Sequence, residues 1–177
     1  MNIQEKIQNV LLNLLQVKSI EQITVTEIIN NSSVTRTIFY RYYINQYSIL
    51  QTIENNIFVA LEASIDESEN GMLKVLKTVD KYKKTVNVLL NQNDVSGFGD
   101  RLMNFLTVKG MCVINKKSKY NQLNDRQVEL LIEYLSVSIS NLMKFWMSNS
   151  QMAINELDDS FEMIFKNGIN NLIGAKS

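Results

Sequence analysis

ITVTEIINNSSVTRTIFYRYYINQYSIL, residues 23–50, decides how the rest of the chain is read. Thr24 followed by Glu27 has the spacing of a capping box, in which the hydroxyl accepts from the Glu27 N–H and the carboxylate reaches back to the cap. Val25, Ile28 and Ile29 then give one apolar face to a helix of about two turns. Asn30, Asn31, Ser32 and Ser33 form a turn-favouring run, because short polar side chains compete for backbone hydrogen bonds. Thr35 can cap a second helix that runs to about Tyr42. On it Phe39 and Tyr43 point one way with Val34, and Arg36, Thr37, Tyr40 and Arg41 point mostly the other. Two short helices, a tight turn and a cationic, aromatic outer face make a helix-turn-helix, whose second helix enters the major groove with its first residues nearest the base edges.

The strings T-V-x-E-I and S-V-T-R-x-x-F-Y-R-Y-Y, followed by a polar turn and Ile49-Leu50, resemble the N-terminal signature of the TetR family of transcriptional regulators. The resemblance is dense over residues 3–50 and looser beyond. It implies an all-helical homodimer with a three-helix DNA-binding head (residues 1–46) and a larger helical body (residues 47–177) for dimerisation and small-molecule binding. It also implies double-stranded DNA as partner, an effector of unknown identity, and repression in preference to activation. The candidate DNA contacts are Thr24, Thr35, Arg36, Thr37, Tyr40, Arg41 and Tyr42. Arg36 suits bidentate reading of guanine or a phosphate contact. An effector pocket in the body would draw on Met111, Cys112, Tyr134, Met143, Trp146 and Met147, which equally suit a core. Three positions depart from the family pattern. Ser33 stands where Gly is usual, Ile38 where a small or hydroxylated residue is usual, and Gln46 where a phosphate-touching Lys is usual. Loss of that cation should lower affinity and flatten its salt dependence.

Working outward, residues 2–16 carry Ile3, Ile7, Val10, Leu11, Leu14 and Leu15 at the helical period, a stripe that can cover the helix-turn-helix. Lys18–Gln22 reads as a polar link. A long helix is expected from Gln46 to about Glu67, closed at Gly71, and another from Met72 to Asn91 with Lys74, Lys77, Lys81 and Lys84 on a basic face. That face reads as solvated or as a contact for phosphate or an acidic partner. Residues 92–99 and 115–124 read as loops on either side of a helix over 100–114. Asp125–Ser148 and Glu156–Ile173 are strongly apolar helices that by the resemblance would build a four-helix dimer interface. Each carries more apolar positions than one stripe needs.

The whole chain of 177 residues is 45% hydrophobic, lacks proline and holds six glycines, which favours long helices over sheet. Its 18 Lys and Arg balance 18 Asp and Glu. In the first 50 residues Lys6, Lys18, Arg36 and Arg41 stand against Glu5, Glu21 and Glu27, a surplus of one positive charge. So small a surplus implies weak general attraction to DNA and more reliance on hydroxyls, backbone N–H groups and helix N-termini. Histidine is absent, which removes the commonest general base and transition-metal ligand, and the one cysteine has no His partner. No phosphate-binding glycine loop or nucleophile elbow occurs. Neither catalysis, a metal nor a cofactor is therefore expected. No apolar run approaches the ~20 residues of a membrane span, no signal peptide is visible, and a lone cysteine suits a cytoplasmic setting. The alternative to a DNA-binding regulator is a helical protein of the same shape that acts through protein partners or a small-molecule pocket. Its affinity for DNA would be weak or lost.

Overall fold

The computed structural model describes residues 2–65, 71–91, 97–105, 124–148, 152–161 and 163, and all their regular structure is helical. The helices are α1 (Ile3–Leu15), α2 (Val25–Ser32), α3 (Arg36–Tyr42), α4 (Gln46–Ser64), α5 (Gly71–Lys81), α6 (Lys83–Asn91), α7 (residues 98–105), α8 (Asp125–Ser148) and α9 (Ile154–Phe161). They fall into two compact units. The first takes residues 1–62 and 82–99 and the second takes 63–81 and 100–177. The expected boundary at 46/47 thus differs from the observed division, in which most of α4 and all of α6 go with the head.

In the first unit α1 starts in a capping box: Asn2 Oδ1 accepts from Glu5 N at 2.8 Å and Glu5 Oε2 accepts from Asn2 N at 2.9 Å. Ile7, Leu11 and Leu15 of its stripe are buried, while Ile3 at the first helical position is exposed. Lys18–Gln22 is more than a polar link. Gln22 Oε1 accepts from Ser19 N at 3.2 Å across a short 3-10 turn, Ile20–Gln22, and Ile20 is buried in the core, as is Ile23. Those two join Ile28, Phe39 and Tyr43, and α4 adds Ile49, Leu50, Ile53, Ile57 and Leu61. Packing of α6 against α1 brings in Val86 and Leu89. Phe98 follows, its ring 5.7 Å from that of Phe58. Close approach at this corner depends on Gly99, where a Cβ would stand 3.3 Å from Leu90 Cδ2.

The long helix expected over 72–91 is two helices, broken at Tyr82. Leu76 and Val79 of α5 are buried in the second unit, whereas Val86 and Leu89 of α6 are buried in the first. The break falls where the chain passes from the second unit, which ends this stretch at Lys81, to the first, which resumes at Tyr82. Gly71 opens α5 instead of closing the helix before it, and α4 is helical as far as Ser64. All four lysines of the basic face are exposed. Within the second unit α5 packs on α9, where Leu157 is buried, and Trp146 of α8 is fully buried with its Nε1 donating to Met152 O at 3.3 Å. The last helix among the described residues begins at Ile154, two residues before the expected start. The loop expected at 115–124 lies outside the described residues except for Asn124, whose Oδ1 accepts from Gln127 N at 3.0 Å and caps α8.

Candidate nucleic-acid interface

Thr24 caps α2, its Oγ1 accepting from Glu27 N at 3.2 Å. Only this half of the expected box forms, because the Glu27 carboxylate pairs with Lys18 across the link. Such a pair at a partly exposed site adds little stability, but it ties the link to α2. The turn is made by Ser33 in the left-handed conformation, φ 52 and ψ 35, and among the described residues it is the one non-glycine with positive φ. The chain then reverses into Thr35, whose Oγ1 accepts from Ile38 N at 3.3 Å and caps α3. As an acceptor in the cap, each threonine hydroxyl keeps its own proton for a further acceptor such as a phosphate oxygen.

Phe39 is fully buried and Tyr43 nearly so, and their rings meet at 6.2 Å. Gln8 Nε2 donates to Tyr43 Oη at 2.8 Å and fastens the end of α3 to α1. Burial pushes the Tyr43 phenol above its ordinary 10.0, against the smaller downward pull of that hydrogen bond. At about 100° per residue the arc opposite these anchors is formed by Thr37 and Arg41. Arg36 and Tyr40 flank it on one side, and Ile38 and Tyr42 on the other. Thr35, Arg36, Thr37, Tyr40, Arg41 and Tyr42 are all exposed, as is Thr24, and Ile38 is half-buried. The Tyr40 ring stands edge-on against Phe39 at 5.4 Å and 89°, so it is braced although 52% of the residue is exposed.

Arg36 does not extend freely. Its Nη2 donates to Thr26 Oγ1 at 3.1 Å, which draws the guanidinium towards the start of α2. Thr26 escaped the sequence reading; its signal was a second hydroxyl two residues after the cap, off the apolar face. The start of α4 is also well built: Asn45 Oδ1 accepts from Ser48 N at 2.9 Å, and Ser48 Oγ accepts from Ile44 N and Asn45 N at 3.0 and 3.2 Å. There Gln46 is half-buried and Tyr47 exposed. The surface therefore combines guanidinium, phenol and hydroxyl groups with three capped helix starts. That is chemistry suited to phosphates and base edges.

Residues expected to line a body pocket do not converge among the described side chains. Trp146 is buried, but Tyr134 on the same helix is exposed. Met111 and Cys112, and the side chains of Met143 and Met147, lie outside what is described. An open groove of ≈ 990 Å³ lies instead in the first unit, between the end of α1 and α6, lined by Leu15, Lys18, Gln22, Lys84 and Asn87 among others. Among the described residues no three His, Cys, Asp or Glu side chains come together as a metal site, and no helix is long and apolar enough to cross a membrane.

No curated protein matches the chain significantly. Solved structures share its fold, and two serve as examples. One, described as the dihydroxyacetone kinase operon activator DhaS, superposes with a TM-score of 0.64 at 22% identity, over 97% of this chain and 96% of that one. The other, a TetR transcriptional regulator from Streptococcus agalactiae 2603V, gives 0.66 at 21% identity over 92% of each chain. The TetR_C_8 family model, a transcriptional regulator C-terminal region, matches residues 66–167, more than half of the chain. With the helix-turn-helix preceding that region, the chain belongs to the TetR family of transcriptional regulators.

Proposed function

We propose that the protein binds duplex DNA through α3 as a homodimer, represses transcription from a near-palindromic operator, and releases it when a small molecule occupies the body. The observation that carries this is the split character of α3. Phe39 and Tyr43 anchor one face in the core, and six polar or aromatic side chains from Thr35 to Tyr42 are exposed on the rest. Buried arginine needs a partner, and both arginines of this helix stand exposed among phenols, outside the core that Phe39 and Tyr43 join. For the homodimer, support comes from α8. Leu130, Tyr134, Val137 and Phe145 recur at helical spacing along one side and are between 51 and 71% exposed, an apolar stripe in search of a partner surface. A cytoplasmic setting belongs to the same reading.

The test is a gel-shift titration at fixed salt on duplexes selected from a random pool. Arg36→Ala should cost about 1–3 kcal/mol of binding. With the guanidinium drawn to Thr26, we expect the loss to fall evenly across sequences, as for a phosphate contact, and not at one base pair. Unchanged affinity would remove Arg36 from the interface, and no retention of any duplex at low salt would favour action through protein partners. One observation favours a second reading of the sign: the structural neighbour described as an operon activator. Transcription in vitro from a template carrying the selected site separates the two, falling for repression and rising for activation.

A further inference from the structure

We infer that Ile38, with the methyl group of Thr37, reads the C5-methyl of thymine in the major groove, so that each half-site carries at least one thymine whose methyl contributes to affinity. This rests on the DNA-binding reading above. Four donor–acceptor patterns distinguish the base pairs in that groove, and each has its matching side chains. Asn or Gln reads adenine, Asp or Glu reads cytosine, Arg or Lys reads guanine, and an apolar group reads the thymine methyl. From Arg36 to Tyr42 the sequence RTIFYRY has no amide and no carboxylate. Beside the less selective hydroxyls of its threonine and tyrosines, the helix therefore offers guanidinium for guanine and an apolar group for thymine.

Within the first turn, which lies nearest the base edges, the guanidinium of Arg36 is drawn aside to Thr26 at 3.1 Å. That leaves Thr37, exposed on the outward arc, and Ile38, half-buried on its flank with part of its side chain in water, as the remaining side chains of the turn. Ile38 is held in place twice. Its N–H is fixed by the Thr35 hydroxyl at 3.3 Å, and its branched side chain has one strongly preferred rotamer in a helix. A stiff aliphatic group with part of its surface in water gains by covering a methyl group, and has nothing to offer a carbonyl or amino group. Arg41, a turn later on the same arc, is the guanine reader left to this helix.

The test uses the full-length protein and the duplex it selects from a random pool. Each thymine is replaced in turn by deoxyuridine, which keeps every hydrogen-bonding edge and deletes only the methyl. Binding is followed by fluorescence anisotropy at fixed salt. At one or more positions per half-site the replacement should weaken binding about fourfold, the worth of one methyl moved out of water. With Ile38→Ala the thymine and deoxyuridine sites should be bound equally at that position, whatever the overall affinity. If that variant does not fold, Ile38→Val should narrow the ratio without abolishing it. Equal binding of all deoxyuridine duplexes by the native protein overturns the inference while leaving DNA binding intact, as does an undiminished ratio in the Ile38 variant. Failure to retain any duplex overturns both readings together.

Discussion

Ser33 carries the backbone cost of the turn: a left-handed conformation with a Cβ at φ 52. Such a conformation costs an L-residue roughly 1–2 kcal/mol, part of which a glycine returns through its freer unfolded chain. Ser33→Gly should therefore raise stability by about 0.5–1 kcal/mol, read as a higher urea midpoint with unchanged slope. This strain was legible beforehand, because the polar run demanded a turn and left serine where glycine serves better. Tyr43 was legible as a core aromatic, but its link to Gln8, 35 positions earlier, was not, since nothing local ties the two. Because burial raises the Tyr43 pKa above 10.0, the unfolded chain releases that proton first. The stability this contributes is whole below about pH 10 and is lost as pH rises through the raised native value. Urea midpoints of the native protein and Tyr43→Phe, compared from pH 8 to 11, should show the native protein falling faster above pH 10. Parallel curves would mean the phenol is not held neutral by burial.

At the scale of elements, α3 is only 7 residues long, so its cap matters more than it would in a longer helix. Thr35→Ala should cost about 1 kcal/mol of stability and speed amide exchange at Ile38, whose N–H the hydroxyl holds. No change in that exchange would contradict the cap. The starts of α1, α2, α3 and α4 could be read closely because caps and apolar period are local signals. Ile20 was not legible because one apolar residue in a polar link has no period; it is buried at the start of a 3-10 turn. The break at Tyr82 was missed for the opposite reason. The apolar spacing through 72–91 is good enough for one helix, and nothing in it marks that α5 and α6 belong to different compact units.

For the molecule as a whole, the α8 stripe makes the sharpest prediction. Tyr134→Glu places a carboxylate in the middle of the exposed apolar row and should convert a dimer to a monomer in sedimentation velocity, with helical content kept. A dimer that survives Tyr134→Glu and Val137→Glu together would place the interface elsewhere. Composition favoured helices over sheet, and the 28-residue stretch with the helical stripe before it made the head legible. The pocket could not be, because methionines and a tryptophan at helical spacing look the same whether they line a cavity or fill a core. One measurement reaches the central claim most directly: enrichment of duplexes from a random pool by the purified protein at low salt. The exposed face of α3 predicts a near-palindromic site whose half-site centres lie one turn, ~34–36 Å, or a multiple of it apart. A pool that stays unenriched after repeated rounds would contradict it.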